Sequence, residues 1–376
     1  MSERVAVVGV SQVGYASAIT DRTLEELIFE AASGALADAR LAWRDLDAVV
    51  IGASDLVDGR VISSMVTAPA AGGYMKDLIA VASSAEHAFV LAYLRLASGF
   101  GHTALVAGWS KCSEAPIPYV ERLSLDPFYR RHLGVNGLVA AALQASAYRL
   151  RYGVPEEAAA RVVVKNRANG VRNPHAERRA PVTADEVLAS PVVAWPLREL
   201  ETPPLSDGVC GLVLASAERA RALRRPTAWL RGLGWASDTY WREPEALVML
   251  SSLRAAAERA YAMAGIGAPA REVAVAEVYD LTPYHELMAY EGLGFAKAGE
   301  GARLLDDPKL AVNPSGGVLS ANPYFASGFV RVAEAALQVM GRAGERQVRG
   351  ATVALAQAAS GHAGQAHTVA ILGAEA

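Results

Sequence analysis

The chain has 376 residues, enough for two domains or two fused halves around a large hydrophobic core. Hydrophobic residues make up 52% and charged residues 20%, as in ordinary globular proteins, and the net charge of −3 excludes an overall electrostatic footprint for nucleic acid. No apolar run approaches a membrane span and no secretory signal precedes the first predicted strand, so we expect a cytoplasmic protein.

The first part of the chain alternates predicted strands and helices. Apolar runs predict buried strands, and a capping box at Thr23 predicts the start of an amphipathic helix. Short β-branched runs separated by helices indicate a layered α/β fold. The predicted strands cover residues 5–10, 46–52 and 102–107, and the predicted helices cover residues 23–39 and 82–98.

The same alternation recurs in the second part of the chain. Residues 33–54 and 257–280 share one layout, in which an Ala-rich helix end, a polar turn and an apolar strand follow each other. We therefore predict two duplicated halves, residues 1–225 and 226–376, with a long helical insertion at about 113–225. In the second half, helices are predicted at 250–264 and 324–340, and strands at 273–278, 351–356 and 368–372.

The two cysteines, Cys112 and Cys210, lie far apart in segments typical of strands. Their spacing fits neither a metal site nor a disulfide framework, so both are predicted to be small core residues. We expect no metal and no tightly bound cofactor.

Two stretches of the second half carry the clearest motifs. Residues 275–301 are VAEVYDLTPYHELMAYEGLGFAKAGEG, and residues 313–328 are NPSGGVLSANPYFASG. These stretches, with a series of motifs in the insertion, resemble the thiolase superfamily, closest to its sterol-carrier/lipid-transfer branch. The resemblance covers nearly the whole chain. The insertion motifs are YGVP at 152–155, KN at 165–166, NP at 173–174, VTADEVL at 182–188, WPLR at 195–198 and SDG at 206–208.

This resemblance implies a thiolase-like α/β fold, in which two duplicated βαβαβαββ halves form five layers (α-β-α-β-α) with a long helical insertion. It implies a coenzyme A thioester as the substrate and at least a homodimer. In this branch, a small OB-fold/zinc-ribbon protein often completes the acyl-CoA channel, so such a partner is a further expectation. Neither nucleic acid nor a membrane is expected as a partner.

The positions that carry thiolase chemistry in the family hold other residues here. The nucleophilic Cys corresponds to Ala82, in ASSA at 82–85, and the His of the Gly-His-Pro-Leu-Gly motif corresponds to Asn322. The branch's His-Asp-Cys-Phe motif corresponds to YDLT at 279–282, and residues 356–360 contain neither Cys nor His. Thiolases need a thiolate to carry the acyl group and a base to activate it. Ordinary thiolase chemistry is therefore not expected.

Tyrosines occur around these altered positions, at Tyr279, Tyr284 and Tyr324. In this respect the chain is similar to steroid side-chain aldolases, which resemble thiolases without the Cys and His. A retro-aldol cleavage needs a base for the β-hydroxyl proton and donors for the enolate oxygen, but no acyl-enzyme. We predict that at least one of Tyr284 and Tyr324 acts in the site. For any single tyrosine, a place in the core or an interface is the alternative.

Other residues complete the predicted site. Asn322 keeps a hydrogen-bond donor where the family has His, although it cannot shuttle a proton. His362, in the Gly-rich turn SGHAG, is the base candidate whose pKa lies nearest neutrality, with a solvated loop histidine as the equal alternative. Gly316 and Gly317 predict a tight turn that supports the pocket. Asp280 is expected at the same pocket.

Ser83 and Ser84 follow Ala82, and all three are assigned to the substrate pocket. The serines are predicted to cap the helix rather than to act as nucleophiles, although His87 lies one turn further along. His285 is expected on a helix surface and His367 in a strand.

Three functions remain open from the sequence. The leading hypothesis is an acyl-CoA C–C lyase that cleaves a β-hydroxyacyl-CoA by a retro-aldol reaction without a covalent Cys intermediate. The second is an acyltransferase or thiolase-type condensing enzyme. The third is a non-catalytic subunit that binds acyl-CoA or supports an active partner.

Overall fold

A computed structural model describes residues 4–239, 242–306 and 310–375 of the chain. The described strands are β1 (Val5–Ala16), β2 (Ala48–Gly52), β3 (Asp77–Val81), β4 (Thr103–Ser110), β5 (Val192–Ala194), β6 (Leu197–Arg198), β7 (Asp207–Ser216), β8 (Ala228–Ser237), β9 (Val275–Glu277), β10 (Ala311–Val312), β11 (Val353–Ser360) and β12 (Ala366–Gly373).

Helices separate most of these strands. The described α-helices are α1 (Leu24–Ala39), α2 (Asp55–Asp58), α3 (Ser64–Ala70), α4 (Ala85–Ala97), α5 (Ile117–Leu123), α6 (Gly137–Tyr152), α7 (Glu156–Gly170), α8 (Ala184–Ala189), α9 (Ala217–Ala222), α10 (Ser251–Ala264), α11 (Pro269–Glu272), α12 (Pro283–Gly292), α13 (Gly317–Ser320) and α14 (Ser327–Val339). Within the described residues, no helix combines the length and the apolar character needed to cross a membrane.

The sheet has the duplicated order that the sequence predicts. Ten of the described strands follow the order β10-β9-β11-β12-β8-β1-β7-β4-β2-β3. The strands β1 and β8 pair over only two residues, which divides the sheet into two halves of five strands. In each half, three strands are parallel and the remaining pairings are antiparallel. Each half therefore repeats the same strand pattern.

Helices cover both half-sheets on both faces. The helices α4 and α14 contact each other between the half-sheets, while α1 packs on β1 and β7, and α10 packs on β8 and β12. The rings of Phe89 and Phe329, one from each central helix, lie 6.4 Å apart between centroids. An apolar cluster fills the space around them with residues of both half-sheets. The predicted α/β fold with five layers is confirmed.

Several predicted elements have different bounds in the structure. The helix predicted at 82–98 starts at Ala85, because Ser84 has extended rather than helical backbone angles. The strand β3 was not predicted, because it lies at the sheet edge, is largely exposed and contains no buried apolar run. The strand β7 lies inside the range assigned to the insertion, yet it pairs along its length with β1 and β4. Cys112 lies in a short 3-10 turn after β4 rather than in a strand.

Candidate active site

The first turns of the two central helices meet at one end of the half-sheets. A Cβ atom placed on Gly328, the second residue of α14, would lie 2.9 Å from Oε2 of Glu86 on α4. The same position lies 2.5 Å from Cβ of Ala358 on β11. Free N–H groups at helix N-termini stabilise negative charge. This junction therefore suits a reaction in which an anion develops.

Two serines precede α4, and both bind side chains of its first turn. Oγ of Ser83 lies 2.7 Å from Nδ1 of His87, and Oγ of Ser84 donates to Oε1 of Glu86 at 2.6 Å. Ser84 occupies the N-cap position as predicted, but its side chain makes no capping hydrogen bond. The prediction that these serines cap the helix is therefore wrong in its hydrogen bonding. Instead, Ser83 forms a hydrogen-bonded pair with His87.

Glu86 is a buried carboxyl that the sequence analysis did not single out. The residue is 1% exposed, and burial raises its pKa. Its Oε2 has no hydrogen-bond partner among the described residues. An acidic residue in a first helical turn is common because it suits the helix dipole, so the sequence offered no distinguishing signal.

Tyr324 and Tyr279 both lie near the carboxylate of Glu121. Tyr324 starts a 3-10 turn that leads into α14, and Glu121 is the charged group that most raises the pKa of its hydroxyl. The charged neighbours of Tyr279 include Glu86 and Glu121. Burial raises the pKa of both tyrosines, followed by Glu121 at Tyr324 and by Glu86 and Glu121 at Tyr279. At neutral pH both hydroxyls are therefore protonated hydrogen-bond donors rather than bases.

Glu121 belongs to α5 in the insertion and brings a carboxylate to this cluster. Its Oε2 accepts a hydrogen bond from the backbone N–H of Gly137 at 2.9 Å. No motif in the sequence marks this residue, because its role depends on how the insertion folds over the second half. The structure therefore adds a carboxylate that the sequence analysis missed.

His362 lies beside Glu121, in the turn between β11 and β12. Its Nε2 is 3.1 Å from Oγ of Ser124, and that hydroxyl donates a hydrogen bond to the backbone carbonyl of Glu121 at 2.6 Å. Burial lowers its pKa, so the imidazole is neutral at pH 7. The structure thus brings Tyr279, Tyr324 and His362 together around Glu121.

Tyr284 lies elsewhere, in the outer core of the second half. The residue is fully buried, and its hydroxyl has no hydrogen-bond partner among the described residues. Its charged neighbours are Glu201, Arg149 and Glu156 of the insertion, not Glu86 or Glu121. Among the three tyrosines, the structure therefore separates Tyr284 from the cluster, contrary to the expectation for the site.

Asn322 lies in the turn before α14 and hydrogen-bonds two serines, one in that helix and one before β7. Its Oδ1 accepts a hydrogen bond from Oγ of Ser327, the first residue of α14, at 2.6 Å. Its backbone N–H donates to Oγ of Ser206 at 3.0 Å. These contacts fix the start of the helix on which the tyrosine cluster depends.

Gly316 and Gly317 form a tight turn, as expected, and Asp280 is buried against this turn rather than lining an open pocket. The Asp280 carboxylate accepts hydrogen bonds from the backbone N–H of Val318 at 2.6 Å and from Nδ2 of Asn166 at 2.7 Å. Burial, followed by the charge of Glu286, raises the pKa of Asp280 to about 8. A Cβ atom on Gly317 would lie 2.2 Å from the carboxylate, so this close approach requires glycine.

Ala82 is exposed and borders a cavity of about 300 Å³ beside the ends of β2 and β3. It carries no group that could accept an acyl chain. The remaining lining comes from the neighbouring loop and helices, with Ala53, Ser54, Asp55, Leu56, Ser63, Ser64 and Ala80.

The remaining candidates have structural partners. His285 is half-buried between Thr282 and Gln144, so the expected surface position is wrong, whereas His367 lies in β12 as expected. Cys112 and Cys210 are free and buried, and burial raises the pKa of both thiols, which makes them poor nucleophiles. Across the described ranges, no group of three or more His, Cys, Asp or Glu residues is arranged to hold a metal ion.

Comparisons with known proteins match most of the chain to thiolase-like proteins. A family profile described as "Thiolase C-terminal domain-like" matches residues 236–374. The chain is 31% identical to acetyl-CoA acetyltransferase of Methanothermobacter thermautotrophicus, over 96% of this chain and 97% of that protein. It is 28% identical to sterol carrier protein 2 of Homo sapiens, over 94% of this chain and 69% of that protein. A solved chain titled "Ltp2-ChsH2(DUF35) aldolase" matches with a TM-score of 0.83 at 23% identity, over 98% of this chain and 97% of that chain.

Proposed function

We propose that this chain, which belongs to the thiolase superfamily in its sterol-carrier branch, cleaves a β-hydroxyacyl-CoA by a retro-aldol reaction. The family consists of thiolase-like enzymes that act on acyl-CoA. The aldolase title of one solved structure belongs to that protein, and the likeness to it concerns the fold. The proposed reaction therefore depends on the side chains of the cluster.

The observation that carries the proposal is the proximity of the Glu121 carboxylate to the hydroxyls of Tyr324 and Tyr279, whose pKa values it raises. A carboxylate near a tyrosine hydroxyl can receive a substrate proton through that hydroxyl. The family's nucleophile position is Ala82, which cannot form an acyl-enzyme. A proton relay without a nucleophile is what a retro-aldol reaction needs, whereas thiolysis needs a thiolate.

The proton relay makes each step of the cleavage balance. The β-hydroxyl of the substrate donates its proton to the Tyr324 oxygen as the tyrosine proton moves to Glu121. The electron pair of the O–H bond forms the carbonyl of the released ketone or aldehyde. The Cα–Cβ bond breaks, and its electron pair becomes the enolate of the shortened acyl-CoA. Protonation of Cα then gives the second product.

The enolate needs stabilisation where its charge develops. Tyr279 is a neutral donor beside the two central helices, because burial keeps its hydroxyl protonated. The N-termini of α4 and α14 supply oriented backbone dipoles at the same junction. Preorganised donors of this kind typically contribute about 10²–10³ in rate.

Mass spectrometry on the intact protein and on its products tests the proposal. The protein is incubated with a panel of acyl-CoA and β-hydroxyacyl-CoA esters that includes branched and sterol-like acyl groups. Retro-aldol cleavage gives a ketone or aldehyde plus a shortened acyl-CoA, with no mass added to the protein. Tight acyl-CoA binding without turnover on any ester of the panel would instead favour a non-catalytic subunit.

A second candidate function is acyl transfer through Ser83. Its Oγ lies 2.7 Å from Nδ1 of His87, the distance expected when a histidine activates a serine. The pair stands directly after Ala82, at the start of α4. A stable acyl adduct on Ser83 in the same experiment, lost in Ser83→Ala, would favour acyl transfer over the lyase.

We also propose an assembly for this enzyme. The edge strand β3 is exposed and is flanked by exposed apolar side chains, which suits pairing with a second copy. The most exposed of these apolar side chains are Val61, Met65, Tyr74 and Met75. Light scattering on the purified chain distinguishes a homodimer from a monomer.

A small OB-fold/zinc-ribbon subunit is a proposed additional partner. Adding such a subunit should raise turnover if it completes the acyl-CoA channel.

A further inference from the structure

Glu86 has no role in the relay described above, although it is buried at the same junction. The residue is the second of α4, a helix whose other buried residues are apolar or aromatic. Ser84 satisfies Oε1, whereas Oε2 has no partner among the described residues. A buried polar group without a hydrogen-bond partner destabilises a fold. A functional partner for Oε2 would explain why a carboxyl group occupies this position.

The free oxygen lies at the meeting point of α14 and β11. Gly328 leaves room for the carboxyl, since a Cβ atom there would lie 2.9 Å from Oε2. The same space is bordered by Ala358 on β11, whose Cβ lies 2.5 Å from that position. Glu86 is also the largest charged contributor to the raised pKa of Tyr279. The carboxyl therefore lies between the two helix N-termini and a tyrosine of the site.

We propose that Glu86, in its protonated form, is the catalytic acid that delivers a proton to Cα of the enolate. This assignment rests on the proposed acyl-CoA chemistry and names the group that completes it. In the reverse direction, the Glu86 carboxylate removes the α-proton of an acyl-CoA.

The proton transfer balances without any further reactant. The Oε2–H bond breaks, the enolate electron pair forms the Cα–H bond, and Glu86 becomes a carboxylate. The Ser84 hydroxyl and the helix N-termini then stabilise that charge. The proton that Glu121 took from the substrate returns to Glu86 through solvent, so the cleavage consumes no net proton. Burial raises the pKa of Glu86, which shifts its equilibrium towards the neutral form that the step requires.

Deuterium exchange at Cα tests this role separately from C–C cleavage. The full chain is incubated with propionyl-CoA in D2O, and deuterium in the recovered thioester is measured by mass spectrometry. The wild type is expected to exchange the α-proton, and Glu86→Gln is expected to slow this exchange by about a hundredfold or more. Glutamine keeps the shape and can still accept the Ser84 hydrogen bond. Glu157→Gln, on the exposed side of α7, is the matched control and should exchange like the wild type.

Chemical rescue covers the case in which glutamine disturbs the helix start. In Glu86→Ala, added formate should restore exchange because a small carboxylic acid can occupy the vacated space next to Gly328. Exchange by Glu86→Gln at the wild-type rate overturns the assignment, even if cleavage of β-hydroxyacyl-CoA is observed. Absence of exchange in the wild type overturns it as well.

The same measurements distinguish the two proposals. Wild-type exchange that Glu86→Gln abolishes, without cleavage of any β-hydroxyacyl-CoA, supports the acid role and refutes the lyase. If Glu86→Gln still cleaves the β-hydroxyacyl-CoA and exchanges the α-proton at the wild-type rate, the result supports the lyase and refutes the acid role of Glu86.

Discussion

The hydroxyl of Tyr324 lies near the carboxylate of Glu121, a residue on a helix of the insertion, and this carboxylate is the charged group that most raises the tyrosine pKa. Neither residue could provide the proposed relay alone. The tyrosine pKa is raised, so Tyr324 does not lose its proton at neutral pH unless a base accepts it. The Glu121 carboxylate supplies that base, and the hydrogen bond that it accepts from the Gly137 N–H keeps the carboxylate in place.

Replacing Tyr324 with Phe should remove the relay while leaving the fold intact. We expect kcat for cleavage of a β-hydroxyacyl-CoA to fall by about 10²–10⁴-fold, with a much smaller change in KM, because the hydroxyl transfers the proton in the transition state. Steady-state kinetics and a thermal melt check this together. Wild-type turnover in a folded Tyr324→Phe protein would contradict the relay.

Glu121 and Tyr324 should behave as one unit. We expect Glu121→Gln to lower kcat by a factor comparable to that of Tyr324→Phe, since either change interrupts the same proton path. The double variant should then be little slower than either single variant, because residues that act together are strongly non-additive. Independent, multiplying losses in this double-mutant cycle would show that the two groups serve different steps.

Tyr284 should respond in the opposite way. Its buried hydroxyl has no partner among the described residues, and such a group costs about 1–3 kcal/mol. Tyr284→Phe is therefore expected to raise the free energy of unfolding by about 1 kcal/mol and to leave turnover unchanged. Urea titration and kinetics on the same preparation measure both. A large loss of activity would show that Tyr284 takes part in the reaction.

The contrast among the tyrosines shows what the sequence could predict. The family motifs located Tyr279 and Tyr324 because both lie in segments whose conformation is local to the duplicated fold. Tyr284 lies only five residues after Tyr279, yet the turn into α12 directs it to the outer core. Short spacing along the chain could not decide this.

The missed carboxylates have a different explanation. Glu121 reaches the site through long-range packing of the insertion, which no periodicity or motif encodes. Glu86 lies in a predicted helix, but its importance depends on space beside Gly328 and Ala358, two residues of the other half. Apolar patterning in the sequence was enough to predict the layers of the fold, whereas the contacts of Glu86 and Glu121 could be identified only from the tertiary structure.

Gly317 should be sensitive to a single methyl group for two reasons. Its φ is +69°, which disfavours other residues, and a Cβ atom would lie 2.2 Å from the Asp280 carboxylate. We expect Gly317→Ala to destabilise the chain by about 3 kcal/mol or more. Gly341→Ala is the matched control, because Gly341 has the same φ of +69° with no atom within 4 Å of its Cβ position. Its cost should be about 1 kcal/mol. Equal losses in urea titration would mean that the carboxylate contact has no effect.

His367 should make the fold less stable as pH falls. It is buried in β12, with Nδ1 2.9 Å from Oγ of Ser252. Burial, followed by the charges of Arg242 and His285, lowers its pKa to about 3, and Asp238 is the acidic group that opposes this shift. The unfolded chain binds a proton at an ordinary histidine pKa of about 6.5. Between about pH 6.5 and 3, protonation therefore favours unfolding.

The size of this effect can be isolated by comparison with His367→Asn. Asparagine preserves a polar group near the Ser252 hydroxyl but cannot titrate. Each pH unit below about 6.5 should cost the wild type up to about 1.4 kcal/mol more than the variant. The difference in their free energies of unfolding, from urea titrations at several pH values down to about 4.5, should therefore shift steadily in favour of the variant. Parallel pH profiles for the two proteins would show that His367 takes up its proton without unfolding the chain.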